Sequence, residues 1–399
     1  MARAPRVAIV GGGIGGLAAA LALDRRGIEV AVYEQAARIS EIGAGITMSP
    51  NALKALRALG LEQAAVAIGY QADDSVIRSW RSGRVITRQK RSGTIVERFG
   101  ASFLTIHRAD LLQIVAAAVP ERVIHLGAEC VGVVPDGGAA VARFADGREV
   151  EADIVIGADG IHSTVRESLF GPDAPHFTGC VCWRGLVPIE ALPPGSRATE
   201  MTSWWGPHGH VVHYRVRRGE LVNFVAHIDS DAWTEESWTR ECDRAELMTT
   251  YARWNESLLR LFESSERYYK WALYDRDPLD SWGKGRASLL GDAAHPMLPY
   301  LGQGACMAIE DGCVLADLVA RTPDDPALAL RDYERLRMPR TRQAQLGSRH
   351  RAKENHMASP LARLLRDAKF AWRRQFGTDK TPFQAAWLYD YDVAKAVRE

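Results

Sequence analysis

At 399 residues the chain exceeds the roughly 250–300 that one hydrophobic core normally serves, so two domains are expected, and 47% hydrophobic residues is ordinary for a globular protein that buries large cores. Fifty basic residues against 49 acidic ones leave a net charge of +1, which argues against a polyanion-binding surface, and nucleic acid is not an expected partner. Six scattered cysteines, with only Cys180 and Cys182 close together, read as reduced thiols of a cytoplasmic protein and complete no zinc site.

The N-terminal "MARAPR" followed by "VAIVGGGIGGLAAALAL" imitates the charged and apolar regions of an export signal. Five glycines within Gly11 to Gly16 would each cost a helix interior about 1 kcal/mol, so an export signal is not expected. No other run is long enough to span a membrane. The same stretch places Gly11-x-Gly13-x-x-Gly16 between a strand and a helix, where backbone can approach a pyrophosphate lying on the helix N-terminus. Glu34 ends the next strand, "EVAVYE", where a carboxylate accepts ribose hydroxyls, and the pair predicts a dinucleotide site.

"DSVIRSW" to "TIVERFG" then alternates like an antiparallel sheet. "ADIVIGADGIHSTVR" returns to a buried strand ending at Asp159-Gly160, with Ser163 and Arg166 following at helical spacing. A second antiparallel excursion covers "CVCWRGLVPI", "HGHVVHYRVRRGELVNFVAHI" and "YYKWALYDRDP". Finally "RASLLGD" reads as a buried strand ending at Gly291-Asp292, and a glycine-rich turn opens a helix over Ala305 to Ala320. Asp292 and that bare helix N-terminus would face one ligand, and His295 is placed to pair with Asp292. The tail from Arg351 is basic with helical spacing, and its aromatic "AWLYDYD" is suited to docking on the body.

After the Gly-Pro-His-Gly turn, His210, Val212 and Tyr214 share one face of a strand and His213 the other. His210 and Tyr214 are therefore the candidate catalytic residues, although four residues of strand, about 13 Å, separate them. His208, His210 and His213 resemble a metal spacing, but His213 points away, and no metal is expected. Arg184 and Arg215 can pair with a carboxylate but are read as exposed strand arginines outside the site.

Gly11, Gly13 and Gly16 with Glu34, then "GADGIHSTVR", then "LLGDAAHP" resemble, over essentially the whole chain, the fingerprints of the single-component FAD-dependent aromatic hydroxylases, class A flavoprotein monooxygenases. The resemblance implies an α/β fold: a Rossmann-like FAD-binding domain of GR2 type, an inserted antiparallel β-sheet substrate domain and a C-terminal helical segment. It divides the chain at 1–73, 101–178 and 277–345 for FAD, 74–100 and 179–276 for substrate, and 346–399 for the helical tail. It implies FAD held by Gly11, Gly13, Gly16, Glu34, Arg38, Arg108, Asp159, Asp292, Pro296, Gly302, Gly304 and Ala305. The resemblance implies NADH or NADPH as a transient co-substrate, and no second glycine-rich unit is visible to give it a domain of its own. O2 would then give a flavin C4a-hydroperoxide that hydroxylates a small aromatic acid, in a monomer or homodimer. His210 and Tyr214 align with a His and a Tyr lining substrate in relatives.

"GAGITMSPNALKALRALGL" and "GQGACMAIED" are similar to the branch of salicylate hydroxylase, 3-hydroxybenzoate 6-hydroxylase and 6-hydroxynicotinate 3-monooxygenase. Thr47, Tyr300 and Pro299 depart from residues of the last two, which leaves a salicylate- or hydroxybenzoate-like acid in front. The alternatives are a 6-hydroxynicotinate-type hydroxylase, a non-oxygenating FAD-dependent oxidoreductase on the same scaffold, or FAD held as a redox-sensing element.

Overall fold

Short apolar runs with no polar alternation must be buried on both faces, and here they form one mostly parallel sheet. The structure, a computed structural model, describes residues 5–40, 43–135, 138–231, 242–376 and 386–397. In spatial order the sheet contains Gly283–Lys284, Ala287–Leu289, Ile154–Gly157, Val7–Val10, Val30–Glu34 and Ile124–Leu126. Val7 lies opposite both Ile154 and Val30 in parallel register, and only Gly283–Lys284 runs antiparallel to its neighbour. Strands distant in sequence thus lie side by side, with their C-terminal ends at one edge.

Two helices cross closely beside this sheet, Ile14–Asp24 and Gly304–Arg321. A Cβ on Gly312 would lie 2.7 Å from the Ala19 backbone nitrogen, so the glycine and the alanine run of the first helix allow the backbones to touch. That contact fixes the glycine-rich end of one helix relative to the other.

The second sheet has seven strands in the order Tyr269–Asp275, His176–Pro188, Leu221–Asp229, Gly209–Val216, Met201–Gly206, Asp74–Ser79 and Val85–Lys90. All pairs are antiparallel except Met201–Gly206 with Asp74–Ser79, which are parallel. Its back face carries Val181, Trp183, Val187, Val211, Val222 and Phe224, packed against Leu247, Leu258, Leu261 and Phe262 of two short helices, Arg244–Thr250 and Glu256–Glu263. Its front face is turned to the loops of the first sheet.

Several details differ from the sequence expectation. "TIVERF" is a helix, Thr94–Phe99, capped by Gly100 at φ +72°, because Ile95 and Phe99 fall one turn apart on a buried side. Cys130–Pro135, Ala140–Phe144 and Glu149–Ala152 make an unanticipated three-stranded sheet, and Gly45–Met48 pairs with Leu104–His107. Helix Pro326–Asn355 runs unbroken through residue 345, and the helical tail continues with Pro360–Phe376. Residues 377–385 of that tail lie outside the described residues. The aromatic end does dock: Lys54 Nζ donates to the carbonyls of Tyr389 and Asp390 at 3.0 and 3.1 Å, and Tyr389 joins Phe99 and Phe103 in a small core. Among the described residues no helix is long and apolar enough to cross a membrane.

Candidate active site

The glycines after Val7–Val10 have different duties. Gly11 has φ +109° and a Cβ there would lie 2.3 Å from the Ala158 carbonyl oxygen, while a Cβ on Gly16 would lie 2.1 Å from the Gly11 oxygen. Both are demanded by packing. A Cβ on Gly13 would meet nothing within 4 Å, and Gly13 is the N-cap of Ile14–Asp24 without a side-chain cap. A helix end with this open approach fits the pyrophosphate of a dinucleotide. Beside it, Glu34 accepts the Gly12 N–H at 2.6 Å and the Ala36 N–H at 2.8 Å, which fixes its carboxylate where ribose hydroxyls would arrive. Arg38 is exposed just beyond it.

Asp159 sits behind this loop, and its carboxylate accepts Ser163 Oγ at 2.5 Å and the Val165 N–H at 3.1 Å. Burial raises its carboxyl pKa, opposed by these hydrogen bonds. The geometry is that of a cap on helix Thr164–Phe170, supporting the backbone that Gly11 touches.

Asp292 lies in the turn Gly291–Ala293 after strand Ala287–Leu289 and is solvent-exposed, yet protein crowds it enough that burial raises its carboxyl pKa, with His295 and Arg108 opposing. A Cβ on Gly304 would lie 3.8 Å from Asp292 Oδ1, so the carboxylate stands at the start of Gly304–Arg321 beside Ala305. Arg108 opens helix Arg108–Ala118, and its N–H donates to the Ala44 carbonyl at 2.8 Å. Gly302 has φ +63°, and its carbonyl accepts Thr47 Oγ1 at 3.2 Å, joining this loop to strand Gly45–Met48. The Pro296 carbonyl accepts Gln345 Nε2 at 2.9 Å.

The expected pairing of His295 with Asp292 is corrected. His295 Nε2 lies 2.6 Å from Asp311 Oδ2, and Asp311 Oδ1 accepts Arg337 Nε at 2.7 Å. Neighbouring Glu310 takes Arg337, Arg340 and Asn51, the last at 2.7 Å. Burial pushes both acids up, but the positive partners outweigh it and hold their pKa values below the usual carboxylate range. His295 is thus a brace under the glycine-rich helix. Its true partner lies on the inner side of that helix, where only packing could bring them together.

The front face of the second sheet is organised in lateral rows. One row runs Trp205, His210, His227, Cys182, Trp271; the next contains Val212, Val225, Arg184 and Tyr269; the third contains Tyr214, Asn223 and Leu186. The loop of Leu298 and Tyr300 covers the first row. Strand Gly45–Met48 covers the third, where a Cβ on Gly45 would lie 2.6 Å from Tyr214 Cε2 and its N–H donates to Asn223 Oδ1 at 2.8 Å. The middle row lies between these two covers, with Val212, Val225 and Tyr269 half-buried, and Thr47 and Gly302 join the covers to each other. His210 and Tyr214 therefore stand in rows on opposite sides of it, as their strand separation requires.

His210 stacks on His227 with ring centroids 4.3 Å apart and lies 5.3 Å from the Tyr300 ring. Burial, then His227 and His356, holds the His210 pKa well below its ordinary value, and burial takes His227 down to about 3. Both are neutral at physiological pH, and Tyr214 is raised by burial and remains a phenol. His227 is 2% exposed and neither ring nitrogen has a hydrogen-bond partner among the described residues. Sequence reasoning missed it, although alternation in "NFVAHI" puts Asn223, Val225 and His227 on one face. His213 is on the other face, brought to about 4 by burial and Arg78.

Arg184 corrects a second expectation. It is 5% exposed, lies in the middle row of the front face, and its guanidinium sits 4.5 Å from the Trp271 ring centroid and 5.7 Å from that of Tyr269. Arg215 is on the back, its Nε donating to the Ala198 carbonyl at 2.9 Å.

Open glycine-rich helix ends on a parallel sheet, with neighbouring loops laid over a histidine-bearing antiparallel sheet, suit a single-chain flavin hydroxylase. Residues 5–346 match the FAD binding domain family, and the chain belongs to it. It is 42% identical, over 98% of its length and 97% of the relative's, to a 3-amino-4-hydroxybenzoate 2-monooxygenase of Streptomyces platensis. Against the 6-hydroxynicotinate 3-monooxygenase of Pseudomonas fluorescens it is 36% identical, over 98% and 96% of the two chains. The structure of a salicylate hydroxylase substrate complex is similar with a TM-score of 0.83 and 29% identity, covering 99% of this chain and 97% of that one. The protein is an FAD-dependent aromatic hydroxylase using NAD(P)H. The aminohydroxybenzoate enzymes were not among the relatives that its motifs brought forward.

Proposed function

We propose that the protein hydroxylates a small aromatic acid bearing a phenol, of the aminohydroxybenzoate or hydroxybenzoate type, with NAD(P)H and O2 as co-substrates in the cytoplasm. The observation that carries this reading is the middle row of the front face, where buried Arg184 lies between the rows of His210 and Tyr214. Arg184 would hold the carboxylate, His210 would accept the phenol proton, and Tyr214 would fix the ring from the opposite side.

FAD would lie with its pyrophosphate at Gly11, Gly13 and Gly16, its ribose at Glu34, and Arg38 near its phosphates. Its ribityl and ring end would lie toward Arg108, Asp292, Pro296, Gly302, Gly304 and Ala305, with Asp159 supporting the first loop. When bound and reduced, FAD supplies the activation of O2. The protein's own contribution is to hold the ring at the middle row, remove the phenol proton so that the ring becomes electron-rich, and exclude water beneath the Thr47–Gly302 contact.

The test is NAD(P)H oxidation and O2 uptake with 3-amino-4-hydroxybenzoate, salicylate, 3-hydroxybenzoate and 6-hydroxynicotinate, with product and peroxide followed together. Product matched to O2 uptake with one benzoate supports the reading. NAD(P)H oxidation coupled to substrate reduction or dehydrogenation without O2 would favour the non-oxygenating alternative.

A further inference from the structure

His210 is not an isolated base. Its Nδ1 lies 2.8 Å from His356 Nε2, and His356 Nδ1 lies 2.6 Å from Asp229 Oδ1. His356 follows the long helix Pro326–Asn355, more than a hundred residues from either partner, and is 9% exposed. Backbone bonds lock the three together: the His208 N–H donates to the His356 carbonyl at 3.2 Å, and the Asp229 N–H donates to the His208 carbonyl at 2.7 Å.

Resting on His210 as the base, we propose that Asp229 and His356 are positioning residues that set the tautomer of His210 and carry the substrate's phenol proton to solvent. A carboxylate only accepts, so Asp229 takes the proton-bearing Nδ1 of His356. In the proposed resting state His356 Nε2 is then the atom that accepts from His210 Nδ1–H, 2.8 Å away. His210 is left with its lone pair on Nε2, the ring nitrogen not engaged by His356.

The transfer balances. The phenol O–H breaks as an N–H forms on His210 Nε2; the His210 Nδ1–H breaks as an N–H forms on His356 Nε2. His356 becomes an imidazolium against the Asp229 carboxylate, and its Nδ1 proton leaves through Asp229 to water. The exit exists because the side chains of Asp229 and the adjacent His208 are 41% and 62% exposed, with His208 Nδ1 3.5 Å from Asp229 Oδ2. Reprotonation of the product reverses the path and resets both tautomers.

The other titratable groups facing the relay do not compete. His227 is neutral, Tyr300 is raised far up by burial, and the Cys180 thiol, pushed up by burial to about 12, takes a hydrogen bond from Tyr300 Oη at 3.3 Å.

The experiment is nitrogen-15 histidine NMR of the FAD-loaded enzyme, with His210→Gln and His356→Gln to assign signals, and the same spectrum for Asp229→Ala. Both rings are expected as neutral Nδ1–H tautomers, with His210 shifting toward Nε2–H in Asp229→Ala. His210 as Nε2–H in the wild type, or an unchanged His210 in Asp229→Ala, overturns the relay. Turnover of 3-amino-4-hydroxybenzoate separates the two readings. His210→Gln is expected to lose on the order of a hundredfold in hydroxylation and Asp229→Ala on the order of tenfold. Loss only in His210→Gln, with tautomers unmoved, leaves the base and removes the relay; full activity in His210→Gln removes the base itself.

Discussion

Thr47 and Gly302 meet so closely that a Cβ on Gly302 would lie 2.3 Å from Thr47 Oγ1, whose hydroxyl donates to the Gly302 carbonyl at 3.2 Å. One belongs to the short strand over Tyr214 and the other to the loop before the glycine-rich helix, so this contact joins the two segments that cover the front face of the second sheet. Gly302→Ala adds both a clash and a left-handed backbone cost of about 1–2 kcal/mol. We expect lower FAD affinity and more peroxide per NAD(P)H oxidised. Thr47→Ala should partly rescue it by removing the clash while leaving the backbone cost, which peroxide assays on the double variant will show.

Gly13 and Gly16 should fail in different ways. Gly16→Ala drives a methyl into the Gly11 carbonyl and is expected to lower the melting temperature even in excess FAD. Gly13→Ala meets no protein atom and is expected to fold normally but bind FAD at least about tenfold more weakly, the loss of roughly 1.4 kcal/mol. Equal FAD affinity in Gly13→Ala would move the pyrophosphate elsewhere.

Arg337 is fully buried between Glu310 and Asp311, so Arg337→Met leaves two carboxylates short of a counter-charge. A cost on the order of 3–5 kcal/mol is expected at neutral pH. Both acids have folded pKa values below their unfolded ones, so their contribution is complete above the usual carboxylate range and is lost as pH falls through the lowered values. The melting-temperature gap between wild type and variant should therefore narrow on acidification.

Arg184→Met tests the carboxylate anchor. A charged hydrogen bond of about 1.5–3 kcal/mol corresponds to a roughly 10- to 100-fold rise in KM for the acid, with less change for the matching phenol lacking the carboxyl group. An equal rise for both compounds would assign Arg184 to packing on Trp271 alone.

Much of the site is legible in the amino-acid sequence. Gly11, Gly13, Gly16 and Glu34 are read from spacing because a strand, a tight turn and a helix fix their geometry within one βαβ unit. The placement of His210 opposite His213 follows from the period of a strand. Where local geometry decides, sequence suffices. The helix Thr94–Phe99 escapes such a reading because a six-residue apolar pattern carries little periodicity.

Arg184, His227 and His356 show the limit. An arginine on a strand is usually exposed, but Arg184 is buried, with Trp271 and Tyr269 from another strand against its guanidinium. His356 looks like part of a basic tail until the long helix carries it to His210 and Asp229.

The cofactor class, the parallel and antiparallel halves and the side of the strand on which His210 and Tyr214 sit are all readable from the amino-acid sequence, because each depends on short-range backbone geometry. The partner of His295, the burial of Arg184 and the contacts of His356 with His210 and Asp229 emerge from tertiary packing alone. Those depend on contacts between elements far apart in the chain, where burial and hydrogen-bond satisfaction, not spacing, choose the partners.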